Sequence, residues 1–294
     1  MRDTILYRHW QPGDDDAVLA LMSHTNKDWY RQKFDNSNGE NLEPEGIRLA
    51  LANGRVVGHA MGEATSLFIE EKVQKFVLVT AVFVAQDMRH QGIATRLMQE
   101  LNGYFESKAY RGSILDTYTE EARQLYQKVG YQQVTRNLRT QLPPRQKASQ
   151  PKWTNPNPED LSLLHQLDVR WARQNFPVRW EPRNINVAPS NMNKYRVFRR
   201  GGSIVGYANW NEPSVFYPNG LIHEPIAPDE DPLVVIRSVQ ATILTPRTWV
   251  TCVGSKYENP LRFLGCLLEP MPDVTMLLPF GQEIDLTGYY RTAY

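Results

Sequence analysis

Residues 89–98 read RHQGIATRLM. They lie between the apolar run FVLVTAVFVA of residues 76–85 and a stretch in which Ile93, Leu97, Leu101, Tyr104 and Phe105 recur at helical spacing. A run of this kind that breaks at a polar turn and resumes as an amphipathic helix is a strand-turn-helix unit. The first-turn amides of such a helix have no intrahelical partner and sit at the positive end of the helix dipole, so the turn attracts an anion. Gly92 leaves out the side chain that would obstruct an approaching phosphate, Ala94 keeps the next position small, and Arg89 and Arg96 add positive charge. The pattern predicts pyrophosphate binding.

Outward from this turn, the N-terminal half reads as strand, helix, hairpin, strand, helix, strand, helix, strand. TILYRHW is a strand, and the Asp14 to Asp16 cluster is placed to cap the helix AVLALMSH. A helical or loop region continues to Phe34. Asn53-Gly54 then sits between two β-type runs and suits the positive φ angles of a tight hairpin. SILDTYT is a short strand. In EEARQLYQKVGY, Ala122, Leu125, Tyr126 and Val129 share a helix face, and Gly130 fits a left-handed C-terminal cap. QQVTRNLRTQL is the last strand. This order predicts an α/β layer fold with one central mixed sheet, residues 1–142 forming the first domain. A polar, Pro-rich linker follows over 143–154, and 155–294 form a second domain.

The second half repeats part of the first. With Arg48 set over Arg196, RLALANGRVVGHA falls on RVFRRGGSIVGYA without a gap, Asn53-Gly54 over Gly201-Gly202 and Gly58 over Gly206. This predicts duplication of one domain. The second copy has no counterpart of the anion-seeking turn, because APDEDPLVVIR places Asp229, Glu230 and Asp231 where amides and positive charge are needed. Leu261 stands where the first copy has Tyr126.

Composition removes several classes of function. The 294 residues carry 33 Lys plus Arg against 32 Asp plus Glu, a net charge of +1, which supplies no broad basic field for nucleic acid or anionic lipid. The beginning lacks a signal-peptide apolar core and the longest apolar run is too short to span a bilayer, so a cytoplasmic protein with no membrane or nucleic-acid partner is expected. Six scattered histidines and two cysteines, Cys252 and Cys266, show no ligand spacing, so no metal is expected. The chain has neither G-x-x-x-x-G-K-[ST] nor, after its first strand, G-x-G-x-x-G, which disfavours ATP and NAD.

The remaining pattern, R-x-x-G-x-A in RHQGIA, resembles the acetyl-CoA pyrophosphate loop of the GNAT superfamily of N-acetyltransferases, [QR]-x-x-G-x-[GA]. ARQLYQKVGY resembles that family's A-x-x-L-Y-x-x-x-G-[FY], and the likeness extends over residues 4–142. It implies two tandem GNAT-like domains, each a mostly antiparallel sheet flanked by helices, the second degenerate. It also implies an N-acetyltransferase that uses acetyl-CoA as acyl donor and a primary amine, of a small molecule, as acceptor, by direct attack in a ternary complex. By the same resemblance, the backbone of Val82, Phe83 and Val84 pairs with the pantetheine arm, and Arg89, His90, Gln91, Gly92, Ile93, Ala94 and Thr95 hold the pyrophosphate. Tyr126 stands beside the thioester sulfur as proton donor.

The strand before the loop lacks the family's common acidic base. His59, Glu63, Asp116 and Tyr118 are the neighbouring candidates, with Glu63 preferred because a carboxylate can accept the amine's proton directly or through water. An ordinary solvated hairpin carboxylate is the alternative. The family's frequent Asn is Thr119 here. The aromatic-rich stretches RWARQNFPVRWEP and YANWNEPSVFYP offer a wall for the acceptor cleft, a homodimer interface, or simply core. Two rival readings stand beside the acetyltransferase: a non-catalytic acyl-CoA sensor or scaffold, and a tandem GNAT-like aminoacyl transferase, against which the near-neutral charge argues.

Overall fold

The computed structural model describes residues 4–22, 30–31, 42–69, 72–145, 153–175, 178–180, 189–214, 217–252, 255–281, 284 and 289–290. Most of the stretch leading to Phe34 and the middle of the linker, 146–152, lie outside the described residues. In chain order the first half contains β1 (Ile5–His9), α1 (Asp15–Leu21), β2 (Leu42–Ala52), β3 (Arg55–Ile69), β4 (Lys72–Val84), α2 (Ile93–Ser107), β5 (Gly112–Thr117), α3 (Glu120–Val129) and β6 (Gln132–Leu142). The second contains β7 (Trp153–Thr154), α4 (Leu161–Asn175), β8 (Val178–Trp180), β9 (Tyr195–Arg200), β10 (Ser203–Asn211), β11 (Leu221–His223), α5 (Pro232–Thr242), β12 (Arg247–Cys252), α6 (Glu258–Phe263), β13 (Glu269–Pro279) and β14 (Tyr289–Tyr290).

The chain divides into two compact units. One comprises Met1–Leu67, Val73–Val134 and Thr275–Asp285; the other comprises Phe68–Lys72, Thr135–Val274 and Leu286–Tyr294. A cut at a linker after residue 142 thus describes the order of the chain but not the membership of its strands. Asn137–Leu142 of β6 pair antiparallel with Arg247–Cys252 of β12 in the C-terminal unit, and the end of β13 lies beside β5 in the N-terminal one. At the linker's end Trp153 is a buried strand residue paired with Phe198.

In the N-terminal unit the strand order is β1-β2-β3-β4-β5-β13. β1 and β2, and β2 and β3, are antiparallel, while β4 and β5 are parallel across the α2 crossover. Helix α2 buries Ile93, Leu97, Met98, Leu101 and Phe105. It lies close on β3 because Gly58 has no side chain: a Cβ there would stand 2.8 Å from Ile93 Cγ2 and 2.9 Å from Leu97 Cδ1. Helix α1 begins where the aspartates predict, but Asp14 does not cap it. Its carboxylate is taken by Arg8, at 2.6 and 2.8 Å, and by the Gln11 amide. An ionised guanidinium held by two bonds outcompetes a helix amide.

In the C-terminal unit the order is β6-β12-β11-β10-β9-β7, with β11 and β12 parallel across α5. The hairpin alignment proposed from sequence is matched in register. Ala50 faces Gly58 and Leu51 faces Val56, leaving Val57 as an extra residue. Phe198 faces Gly206 and Arg199 faces Ile204, leaving Val205. Both turns run through two consecutive positive φ angles, at Asn53-Gly54 and Gly201-Gly202. A shared bulge one turn from a shared tight turn is a positional agreement that strand alternation alone does not produce. The aromatics Trp171, Tyr207 and Trp210 belong to the core of this unit.

Candidate active site

The site in the N-terminal unit begins where two parallel strands part. β4 pairs with β5 from Phe76↔Gly112 to Leu78↔Ile114 and no further, although β4 runs on to Val84 and β5 to Thr117. Past Leu78 the edge of β4 that faces β5 therefore has no strand partner among the described residues. An extended chain with amides along it can add itself to such an edge as a strand would. Val82, Phe83 and Val84 lie on this stretch, half-buried, with Phe83 packed against the core of Val18, Leu49 and Val56.

The free edge leads through a 3-10 turn (Gln86–Met88) into the N-terminus of α2. Met88 and Ile93 are buried and anchor the turn from below, while Arg89, His90, Gln91 and Gly92 are exposed. His90 and Gly92 take positive φ, +60° and +81°. Gly92 is the N-cap residue and supplies no side-chain cap. The first-turn amides of Ile93, Ala94 and Thr95 accordingly have no intrahelical acceptor and no capping oxygen. A Cβ built on Gly92 would meet nothing within 4 Å, so the space before these amides is open. Arg89 Nε reaches back to the Val84 carbonyl at 3.3 Å. Arg96 pairs with Glu100 at 2.8 Å and lies over the Tyr7 ring. Arg55 pairs with Asp87 beside the turn.

The equivalent positions of the C-terminal unit are filled by its own side chains. Helix α5 has Pro232 at its start, and Asp231 caps it, accepting from the amides of Leu233 at 2.8 Å and Val234 at 3.2 Å. The carboxylate satisfies the donors that α2 leaves open. Thr251 of β12 donates to the buried carboxylate of Glu224, just past the end of β11, and this bond joins the two strands at the place where β4 and β5 separate. Lys256 completes the closure by donating to the carbonyls of Ala227, Pro228 and Glu230.

Tyr126 is on α3, which starts at the Thr119 cap and ends at Gly130 with φ +105°. Its ring is buried, 8% exposed, at 5.8 Å from that of Tyr131. Tyr131 donates to Asn102 of α2 at 3.0 Å and lies 2.5 Å from Ser113 of β5, so the end of α3 is tied to both neighbours. Among the described residues the Tyr126 hydroxyl has no hydrogen-bond partner, and it is not among the fully enclosed polar atoms. Burial, with a smaller contribution from Tyr118, pushes its pKa up to about 12, so the phenol keeps its proton at neutral pH.

The candidate bases differ in environment. Glu63 is 8% exposed and accepts a bond from Thr80 at 3.0 Å, which corrects the reading of a solvated hairpin carboxylate. Asp116 accepts from Thr275 at 2.7 Å, and Tyr118 is 75% exposed. His59 is fully enclosed; its Nδ1 lies 2.6 Å from the Ala81 carbonyl and its Nε2 lies 3.3 Å from the Tyr30 hydroxyl. The described hydrogen bonds do not join Glu63 or His59 to Tyr126. Burial lowers the pKa of His59 from 6.5 to about 4, against a smaller opposing effect of the Ala81 carbonyl.

That shift has a measurable consequence. Above pH 6.5 the imidazole is neutral in both folded and unfolded chains; as pH falls the unfolded chain binds the proton first. Stability is therefore lost progressively from about pH 6.5 to 4, by about 3 kcal/mol in full. Urea unfolding at pH 7 and pH 4.5 should show this loss, and a smaller one in His59→Asn.

Among the described residues no group of three or more His, Cys, Asp or Glu side chains is placed to hold a metal ion, and no helix is long and apolar enough to cross a membrane. Residues 44–133 match the family model for the acetyltransferase (GNAT) domain. No curated protein matches the chain. Among solved structures, a GCN5-related N-acetyltransferase from Anabaena variabilis is similar over 95% of this chain and 73% of its own, with TM-score 0.68 at 15% identity. A probable N-acyltransferase from Enterococcus faecalis, described as a conserved protein of unknown function, covers 94% of this chain and 72% of its own, TM-score 0.68, 12% identity. A GCN5-related N-acetyltransferase from Sphaerobacter thermophilus matches 98% of this chain and 99% of its own, TM-score 0.53, 16% identity. Residues 44–133 are thus similar to the acetyltransferase (GNAT) domain, within a fold that the chain shares with these structures.

Proposed function

We propose that the N-terminal unit transfers an acetyl group from acetyl-CoA to a primary amine of a small molecule. The observation that carries this reading is the free edge of β4 leading directly into the uncapped helix terminus at Gly92. A pantetheine arm, with its amides, suits the edge; a pyrophosphate suits the terminus. The amine attacks the thioester carbonyl, and collapse of the tetrahedral intermediate breaks the C–S bond. The departing sulfur takes its proton from Tyr126, which is protonated at neutral pH. The amine's proton passes to Glu63, directly or through water. Arg89, His90, Gln91, Ile93, Ala94 and Thr95 surround the pyrophosphate, chiefly through their amides. The self-capped helix of the C-terminal unit supports one donor site per chain.

Calorimetric titration with acetyl-CoA tests this directly, followed by turnover assays over a panel of small amines. Binding at one site per chain with acetylation of an amine is expected. Two sites would contradict the reading of the C-terminal unit. Binding without turnover of any amine would favour a sensor or scaffold, and no binding would refute the donor assignment.

A further inference from the structure

One residue of β4 has a backbone conformation that strands of L-residues avoid. Ala81 has φ of +52°, in the left-handed region that a residue with a Cβ enters only when its surroundings impose it. It lies three residues past the last pair with β5 and directly before Val82, Phe83 and Val84. A single residue of this kind turns its peptide out of the strand's alternation and resets the direction of the groups that follow. Its carbonyl then needs a donor inside the protein.

His59 of β3 supplies that donor. Nδ1–H donates to the Ala81 oxygen at 2.6 Å, and this fixes the tautomer, leaving Nε2 to accept from the Tyr30 hydroxyl at 3.3 Å. The Tyr30 ring meets the imidazole edge-on at 5.4 Å and closes it off from solvent. The ring stays neutral at physiological pH, so the donor is a fixed dipole and not a titrating charge. On the other side of the segment, the Ala85 amide donates to the Val57 carbonyl at 2.8 Å. Residues 82–84 are therefore held between two anchors on β3, while their other edge has no strand partner among the described residues.

We propose that His59 is a positioning residue for the donor: by holding the Ala81 carbonyl it sets the direction in which residues 82–84 present their backbone to the pantetheine arm and thioester. This rests on the acetyl-CoA reading above. It assigns His59 no proton transfer, in contrast to the base candidates considered with it.

The test compares wild type, His59→Asn and His59→Leu by acetyl-CoA calorimetry and by steady-state kinetics with an amine that the wild type acetylates. Asn keeps an N–H near the place of Nδ1, and Leu fills the volume without a donor. His59→Leu is expected to weaken acetyl-CoA binding about tenfold and to lower kcat, the amine KM staying near the wild-type value, whereas His59→Asn stays within about threefold. Wild-type affinity in His59→Leu, or equal losses in both variants, would overturn the proposal in favour of packing alone. If the Leu variant does not fold, His59→Gln replaces it, its amide reaching towards Tyr30 and away from Ala81. Gln is expected to show the loss, and equal binding by Asn and Gln overturns the proposal. The wild-type titration separates the two readings: if it shows no binding, both fall; if it binds and the variants do not differ, only the role of His59 falls.

Discussion

Replacing Gly92 by glutamate is expected to weaken acetyl-CoA binding by at least about 100-fold while leaving the protein folded. The position has φ +81° and no atom within 4 Å of a built Cβ, so a side chain there strains the backbone locally but collides with nothing in the protein. On the donor site proposed above, what it meets is the pyrophosphate. A carboxylate about 4 Å from a phosphate costs about 4 kcal/mol at the effective dielectric of a protein surface, and about 2.7 kcal/mol already corresponds to 100-fold. Calorimetry gives the affinity, and thermal melting checks the fold. Gly92→Ala separates the contributions, because it carries the strain without the charge and should lose much less. Wild-type affinity in Gly92→Glu would place the donor's pyrophosphate elsewhere.

The second large effect is expected at Tyr126. Phenylalanine preserves the ring's packing against Tyr131 and removes only the hydroxyl, which has no hydrogen-bond partner among the described residues. The expected result is a fall in kcat of about 100-fold, with the acetyl-CoA Kd within about threefold of wild type. A proton donor acts once negative charge gathers on sulfur, so its loss falls on the chemical step and not on ground-state binding. Unchanged kcat would mean that the thiolate leaves without help from this phenol. A parallel loss in Kd and kcat would make Tyr126 a binding residue.

Much of this site was legible in the sequence where a residue's chemistry forces a local conformation. Gly92 was readable because a phosphate needs a turn without a side chain, the two hairpin turns and the Gly130 cap because positive φ selects for Gly or Asn, and the buried face of α2 because its apolar residues recur at helical spacing. Other features left no such signal. Ala81 gives no hint of a left-handed backbone, because what holds it there is a histidine 22 residues away in sequence. Alternation put His59 and Glu63 on one face of β3, but whether that face meets water depends on what covers it. The Asp14 cluster signalled a helix start, yet no local rule reveals that Arg8 takes the carboxylate. The placement of β13 is a long-range pairing, and strand patterning names no partner.

That placement bears on how the protein is made. Thr275–Asp285 belong to the N-terminal unit, where the Phe280 amide donates to the Arg111 carbonyl and the Leu278 oxygen lies against Gly112. The half of the chain that is translated first therefore cannot close its sheet until the ribosome has delivered residues encoded some 160 positions later than β5. Until then the outer side of β5 is a bare edge, open to pairing with other nascent chains and to chaperones. The sheet of the N-terminal unit is begun early in sequence and completed late in time.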